Sequence, residues 1–447
     1  MQKIWSRLAC AAGVAAMLFA GSSQVLAAES TAVPERVNQD VAVSAQIAFT
    51  SNRHLFLLDG QNKNATPKQI TTSGLSEIVD WSTDGKWLLY LHYKGNDNYS
   101  TPGYLWAVRA DGSGLIQVDD RPIMEKPKWS PVANKFAYTV NIGSNEQPDT
   151  RFVNKAILDN GELASQSTTK ADFVDFTWMP DGEKLLVSTA AEKDRAMTLV
   201  LRNLGGKTLA TYPVAKPPNI EEGVYPWAPK GLQVSPDGQL VAFFVRYNSG
   251  SLSADGVPIQ LFSLTQPNRM PKELGTGLAY PEWLAWSRDY KQLAFIDGSD
   301  RIATTNKHLK IADREGKVAS AGQQDQVDTL PVWTDKETDT LYFSRGKGTP
   351  YAYDPKKVMV PGQRIWKRDS NGEQKQVTQG TDQTADYYPT PSKNGKQLLF
   401  VRMEAAERGT LFLMKDGSET ELVKGITGDI GYYANYLPQW IRVYWNS

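Results

Sequence analysis

One signature recurs along the chain: a Trp, then Ser or Thr, a turn centred on Asp-Gly, a Lys or Gln, and an apolar strand ending in an aromatic residue. Trp81-Ser82-Thr83-Asp84-Gly85-Lys86 leads into Leu88-Leu89-Tyr90, and Trp129-Ser130-Pro131 leads into Phe136-Ala137-Tyr138. Further copies stand at Trp178-Met179-Pro180-Asp181-Gly182, at Ser235-Pro236-Asp237-Gly238 with Val234 in the Trp place, and at Trp286-Ser287-Arg288-Asp289. Weaker ones begin at Trp333-Thr334-Asp335 and Pro391-Ser392-Lys393-Asn394-Gly395. The copies lie roughly 50 residues apart, a period that points to a propeller, a solenoid or an array. A unit this short cannot bury its own apolar face, so the copies must pack on one another.

Each period holds a second turn. Asp111-Gly112, Asn160-Gly161, Gly205-Gly206, Glu315-Gly316, Asn371-Gly372 and Asp416-Gly417 follow apolar strands, and such pairs permit the positive φ of tight hairpins. The unit is therefore four short antiparallel strands: A ends at the Trp, B follows the first turn, C precedes the second and D follows it. No segment shows a convincing 3.6-residue apolar period, so little helix is expected. Many four-stranded units in series read as an all-β propeller, whose closure protects the sheet edges. Ile47-Ala48-Phe49, Leu55 to Leu58 and Lys68 to Thr71 supply strands B, C and D with no A before them. Tyr436-Leu437-Pro438-Gln439-Trp440 is expected to supply the missing A strand and close the ring. The count is eight blades, with seven as the alternative if the repeat near Trp333 is an insertion.

The Trp-Ser-Pro-Asp-Gly-Lys motif with its Ile-Ala-Phe-like strand resembles the TolB-type, WD40-like propeller repeat, which is also found in dipeptidyl-peptidase propellers. The resemblance covers nearly all of the chain after its leading segment. It implies the fold and suggests an envelope scaffold. Two departures stand out: only Ala28 to Ala45 precedes the repeats, where TolB has an α/β domain, and no hydrolase domain follows them.

The leading segment reads as a removable export signal. Lys3 and Arg7 precede an apolar run from Leu8 to Phe19, and Val25-Leu26-Ala27 before Ala28 satisfies the small-residue rule for cleavage. That run falls short of the ~20 residues that span a bilayer. The expected division is 1–27 signal peptide, 28–45 linker and 46–447 propeller, giving a secreted or periplasmic protein with no transmembrane segment. Cleavage after Ala27 removes Cys10, the single cysteine, so disulfides are not expected to hold the fold. With 49 basic and 49 acidic side chains, no global field favours nucleic acid as partner.

Motifs for chemistry are lacking. There is no Gly-x-Ser-x-Gly elbow, no phosphate loop, and His54, His92 and His308 fall in different repeats without metal-ligand spacing. No catalytic residue, metal or cofactor is expected, and the turn Asp residues are assigned to folding. Strand parity puts the tight Asp-Gly turns on one face of the disc. The B-to-C and D-to-A connections lie on the other, including the long Asn141 to Arg151, Tyr212 to Lys230, Tyr247 to Val257 and Ser344 to Arg364. Long loops on a rigid scaffold are the usual site of recognition. The candidate ligand-binding residues are Tyr351 and Tyr353 in the last loop, and the carboxylates just before the anchors: Glu77, Glu125, Asp175, Glu282, Asp328 and Asp386. Converging, these would form an acidic collar at the channel mouth for a cation or basic peptide. The expected function is non-catalytic binding of a protein or cell-envelope component by a monomer. The alternative is a glycan- or peptide-processing enzyme using the mouth carboxylates.

Overall fold

The computed structural model describes residues 33–95, 101–143, 149–334, 339–349, 359–428 and 439–446. Eight antiparallel sheets follow one another along the chain. In blade 1 the A to D strands are Ile441–Trp445, Ala45–Ser51, His54–Asp59 and Lys68–Gln69. Blade 2 holds Leu75–Trp81, Trp87–Tyr93, Gly103–Arg109 and Ile116–Gln117; blade 3 holds Lys128–Trp129, Lys135–Asn141, Thr150–Ile157 and Leu163–Lys170. Blade 4 is Asp175–Trp178, Lys184–Thr189, Thr198–Asn203 and Thr208–Pro213, and blade 5 is Pro226–Val234, Leu240–Tyr247, Val257–Ser263 and Lys272–Gly277. Blade 6 is Leu284–Trp286, Gln292–Asp297, His308–Asp313 and Val318–Ser320. Blade 7 is Gln326–Trp333, Leu341–Lys347, Arg364–Arg368 and Gln374–Gln376, and blade 8 is Ala385–Pro391, Gln397–Ala405, Arg408–Lys415 and Ser418–Thr427. Neighbouring blades meet through their A strands, which are thus innermost, and Ala45–Ser51 of blade 1 touches blade 8. The result is an eight-bladed β-propeller.

The ring closes where the first and last repeats share a sheet, but the closing strand differs from the one expected. It is Ile441–Trp445, with Phe49 opposite Ile441 and Ala45 opposite Trp445. Val443, opposite Ile47, takes the place that Trp81 takes opposite Leu88. Trp440 marks no anchor: it lies three residues earlier and accepts the Thr50 N–H on its carbonyl at 3.1 Å. Cross-strand pairing fixes the register, and a conspicuous aromatic does not. Tyr436, Leu437 and Pro438 lie outside the described residues.

The signature residues are explained by the turn they build. Ser82 Oγ donates to Asp84 Oδ1 at 2.8 Å and accepts from Trp87 N at 3.0 Å, while Lys86 N donates to the same Asp84 oxygen at 3.1 Å. Ser235 with Asp237, Ser287 with Asp289, and Ser392 with Asn394 repeat the arrangement. The carboxylates satisfy backbone donors that strand pairing leaves over, as assigned from the sequence. The Trp has a different task. Its indole N–H donates to the preceding blade's carbonyl just before the anchor: Trp81 to Arg442, Trp129 to Asp80, Trp178 to Lys128, Trp286 to Gln233 and Trp333 to Ala285, at 2.9 to 3.1 Å. Blades 5, 8 and 1 carry Val234, Pro391 and Val443 at this place and so lack that indole bond.

A short strand ahead of the first repeat adds a second fastening. Glu35–Arg36 pairs with Ser418–Thr427 as a fifth, outer strand of blade 8. The buried Arg36 guanidinium then donates to carbonyls of Val41 at 2.8 Å and Asn62 at 2.6 Å, with longer bonds to Asp59, Gly60 and Ala65. One side chain thereby ties blade 8 to the C-to-D turn of blade 1.

Arg36→Met, which strands these acceptors, is expected to cost about 2–4 kcal/mol in urea unfolding. Trp178→Phe, which removes one indole bond and part of a buried ring system, is expected to cost about 2–3 kcal/mol in the same measurement.

Candidate functional site

The position three residues before each anchor divides the innermost strands into two arcs. From blade 6 round to blade 2 it is Trp283, Leu330, Tyr388, Trp440 and Ile78, all buried. The first four belong to one continuous apolar cluster, with the Tyr388 and Trp440 rings 6.2 Å apart. The indole of Trp440 is approached so closely that a Cβ on Gly428 would sit 2.0 Å from it, which restricts that position to glycine. Through blades 3, 4 and 5 the same position is Lys126, Asp175 and Gly231. Gly231 (φ 66°), Leu330 (φ 54°) and Tyr388 (φ 56°) share a left-handed backbone at bulges of their A strands. Glycine adopts this conformation freely, whereas Leu330 and Tyr388 do so at a cost of about 1–3 kcal/mol each. Both are buried in the apolar arc, whose packing offsets that strain.

The charged arc is a network of carboxylates and lysines. Lys126 Nζ lies 2.8 Å from Glu77, Lys128 Nζ 3.1 Å from Asp175, and Lys230 Nζ 2.7 Å from Glu125. The last pair joins blade 5 to blade 3 past the end of blade 4. Asp175 Oδ2 also accepts the N–H of Gly231 at 2.7 Å and of Leu232 at 3.3 Å, which fixes the blade 5 bulge. Burial alone would push the Asp175 carboxyl up, but Lys128 and Lys230 outweigh it and hold the group below the usual carboxylate range. Burial likewise opposes ionisation of Glu77, and Lys126 with the Tyr93 hydroxyl reverses this.

The expected collar is thus only partly assembled. Glu77, Glu125 and Asp175 come together, and three lysines match them in number, so the arc presents no excess negative charge. Glu282 sits by the apolar arc, where its charge adds to the burial that raises the Tyr280 and Tyr388 phenols. Asp328 and Asp386 are fully buried and turned into the sheet. Asp328 meets Arg345 Nε at 2.5 Å and accepts Leu309 N at 2.9 Å. Asp386 meets Arg402 at 2.8 and 3.0 Å. Tyr351 and Tyr353 lie outside the described residues. Sequence reasoning passed over Lys126, Lys128 and Lys230, although Lys126 and Lys128 stand directly after the candidate Glu125.

A carboxyl that serves as general acid needs a raised pKa and access to substrate. Glu77 and Asp175 shift the other way. Burial raises Asp386, but the group has no exposed surface and is clamped by Arg402. The ion pairs of the arc link blade 2 to blade 3, blade 3 to blade 4 and blade 3 to blade 5.

No family model matches the chain, and no curated protein matches it. Among solved structures, dipeptidyl peptidase 4 of Porphyromonas gingivalis is similar to it with a TM-score of 0.51 at 11% identity, over 87% of this chain and 60% of that one. A putative TolB from Agrobacterium tumefaciens matches with a TM-score of 0.32 at 17% identity, over 59% of this chain and 87% of that one. The β-propeller domain of the Trilobed protease from Pyrococcus furiosus matches with a TM-score of 0.44 at 12% identity, over 77% and 97%. The likeness to the dipeptidyl peptidase is one of propeller fold, and this chain spans 60% of that enzyme's length.

Asp119, where the chain passes from blade 2 to blade 3, gives a pH test of the same rim. Its burial opposes ionisation, but two bonds from Arg121 and one from the Tyr138 hydroxyl bring its pKa down to about 2. A depressed folded-state pKa contributes stability above the unfolded value near 3.8, lost as pH falls toward 2. Asp119→Asn is expected to lose about 2 kcal/mol at pH 7 and almost nothing at pH 2, read from urea midpoints across that range.

Proposed function

We propose that this protein is a non-catalytic binding propeller that engages a protein of the cell envelope through the face carrying its B-to-C and D-to-A connections. The observation that carries this reading is one sector of that face, over blades 3 to 5. There Met124, Ile142, Ile220, Val224 and Leu252 are exposed at 55, 48, 38, 44 and 45%. They belong to the same blades as the Lys126, Asp175 and Lys230 arc. Exposed apolar side chains beside charge already paired within the protein are the composition of a protein interface.

Two of the loops are fastened to each other. Asn248 accepts Tyr225 N at 3.0 Å and donates to the Gly223 carbonyl at 2.9 Å, and Ser249 caps the short helix Gly250–Ala254. A rim held in this way loses little entropy on binding, which favours affinity.

Charge placed on the sector without disturbing the core tests it. Met124→Asp and Leu252→Asp are expected to reduce cross-linked partner recovered from an envelope fraction at least tenfold, whereas Leu158→Asp on the opposite face leaves it unchanged. Equal recovery by all three variants would overturn the assignment of the sector. Export belongs to the same proposal, supported by the Lys3 to Ala28 sequence. The intact mass of protein collected outside the cytoplasm is expected to correspond to a chain beginning at Ala28, and a mass retaining Met1 counts against it.

A further inference from the structure

A cleft of about 380 Å³ opens at the seam of blades 6 and 7, on the same loop-bearing face. One wall is Thr305, Asn306 and His308, where the chain enters strand C of blade 6. Asp325, Gln326 and Val327, entering strand A of blade 7, form the second, and Lys347, Gly348 and Thr349, leaving strand B of blade 7, form the third. The volume falls within the range of small-molecule sites.

The three walls are locked together by backbone. Gly348 N donates to the Asp325 carbonyl at 3.3 Å, Thr349 N to the Thr304 carbonyl at 2.9 Å, and Asp328 N to the Lys307 carbonyl at 2.8 Å. Thr349 and Thr304 hydroxyls meet at 2.6 Å. Beneath them the fully buried Lys307 ammonium donates to the carbonyls of Ser299 at 2.8 Å and Thr305 at 3.0 Å, pinning the loop that forms the first wall. The cleft is therefore preformed and does not depend on a ligand to order it.

Its charges differ from those of the mouth. At the mouth Lys126, Lys128 and Lys230 each hold a carboxylate. In the cleft Lys347 and Asp325 are exposed, and neither they nor His308 make a side-chain hydrogen bond or ion pair among the described residues. Asn306 and Gln326 add amide donors and acceptors, and Val327 supplies a buried apolar contact. A polyanion entering here would meet Asp325, and a polycation would meet Lys347. A ligand of no net charge that carries both signs satisfies both groups.

We infer that this cleft binds a small zwitterion, an amino acid or short peptide with both ends free, its carboxylate toward Lys347 and its ammonium toward Asp325. The inference deepens the proposed binding role of this face, because it names a ligand class for a second place on it, separate from the blade 3 to 5 sector.

Titration of the full-length mature chain with alanyl-alanine, followed by calorimetry at low salt, tests it. Saturable binding is expected, weakened at least tenfold by acetylating the amine or amidating the carboxylate, with free alanine distinguishing an amino-acid site from a peptide site. Lys347→Met is expected to bind alanyl-alanine and its amide equally, and Asp325→Asn to bind alanyl-alanine and its acetyl derivative equally. Both positions are exposed, and unchanged thermal midpoints show that the variants fold. Absence of saturation with alanyl-alanine and alanine alike, or binding indifferent to blocked ends in the unaltered protein, overturns the inference. Partner recovery through Met124 and Leu252 is read in a separate experiment, so either proposal can fail while the other stands.

Discussion

The architecture rests on the hydrogen bonds between Ile441–Trp445 and Ala45–Ser51, because they place the first and last repeats in one blade. A linear stack of the same units would leave Ala45–Ser51 as an open edge, with its apolar faces toward water. Closure lets Ile47 and Phe49 join Ile441, Tyr388 and Leu399 in one buried cluster. Pairings between distant parts of a chain form late and slowly, since their loop entropy is lost before contacts compensate it. Once Glu35–Arg36 has paired with blade 8, the Arg36 contacts hold that edge against the turn of blade 1.

The ring is regular in its backbone and divided in its chemistry. One arc of inner positions is aromatic and aliphatic, and the other is Lys126, Asp175 and Gly231, flanked by further lysines and carboxylates. Hydrophobic burial needs no direction, so the first arc can absorb two residues in a left-handed conformation. At its inner positions the second arc adds directed, charge-assisted bonds such as Lys128 to Asp175 to the apolar packing that its blades share further out. The exposed apolar side chains of the loop-bearing face gather over this second arc.

The fold was legible because each signature residue answers a local need. Ser82 and Asp84 cap a turn, Gly85 supplies its positive φ of 70°, and Trp81 reaches the neighbouring blade. Those requirements recur at the same spacing and need no knowledge of the rest of the chain. The site was less legible for equally physical reasons. Asp175 and Asp328 look alike in sequence, yet bulges between Thr329 and Val332, and between Tyr387 and Thr390, shift strand parity and turn Asp328 and Asp386 toward arginines 17 and 16 residues later. Glu125 finds Lys230 at a separation of 105 residues, where no local pattern could announce it. Trp440 misled for the opposite reason: its type matched the anchor, whereas Val443 has the pairing partner.

The outer strand at Glu35–Arg36 also decides how the disc would respond to tension. Ala45 faces Trp445, so the two chain ends leave the closing pair from one side, a geometry in which pulling peels hydrogen bonds apart singly. Because Glu35–Arg36 is pinned to blade 8 ahead of that point, a force applied upstream is taken up at the rim before it reaches the seam. The clip thus acts as strain relief for the seam that closes the ring.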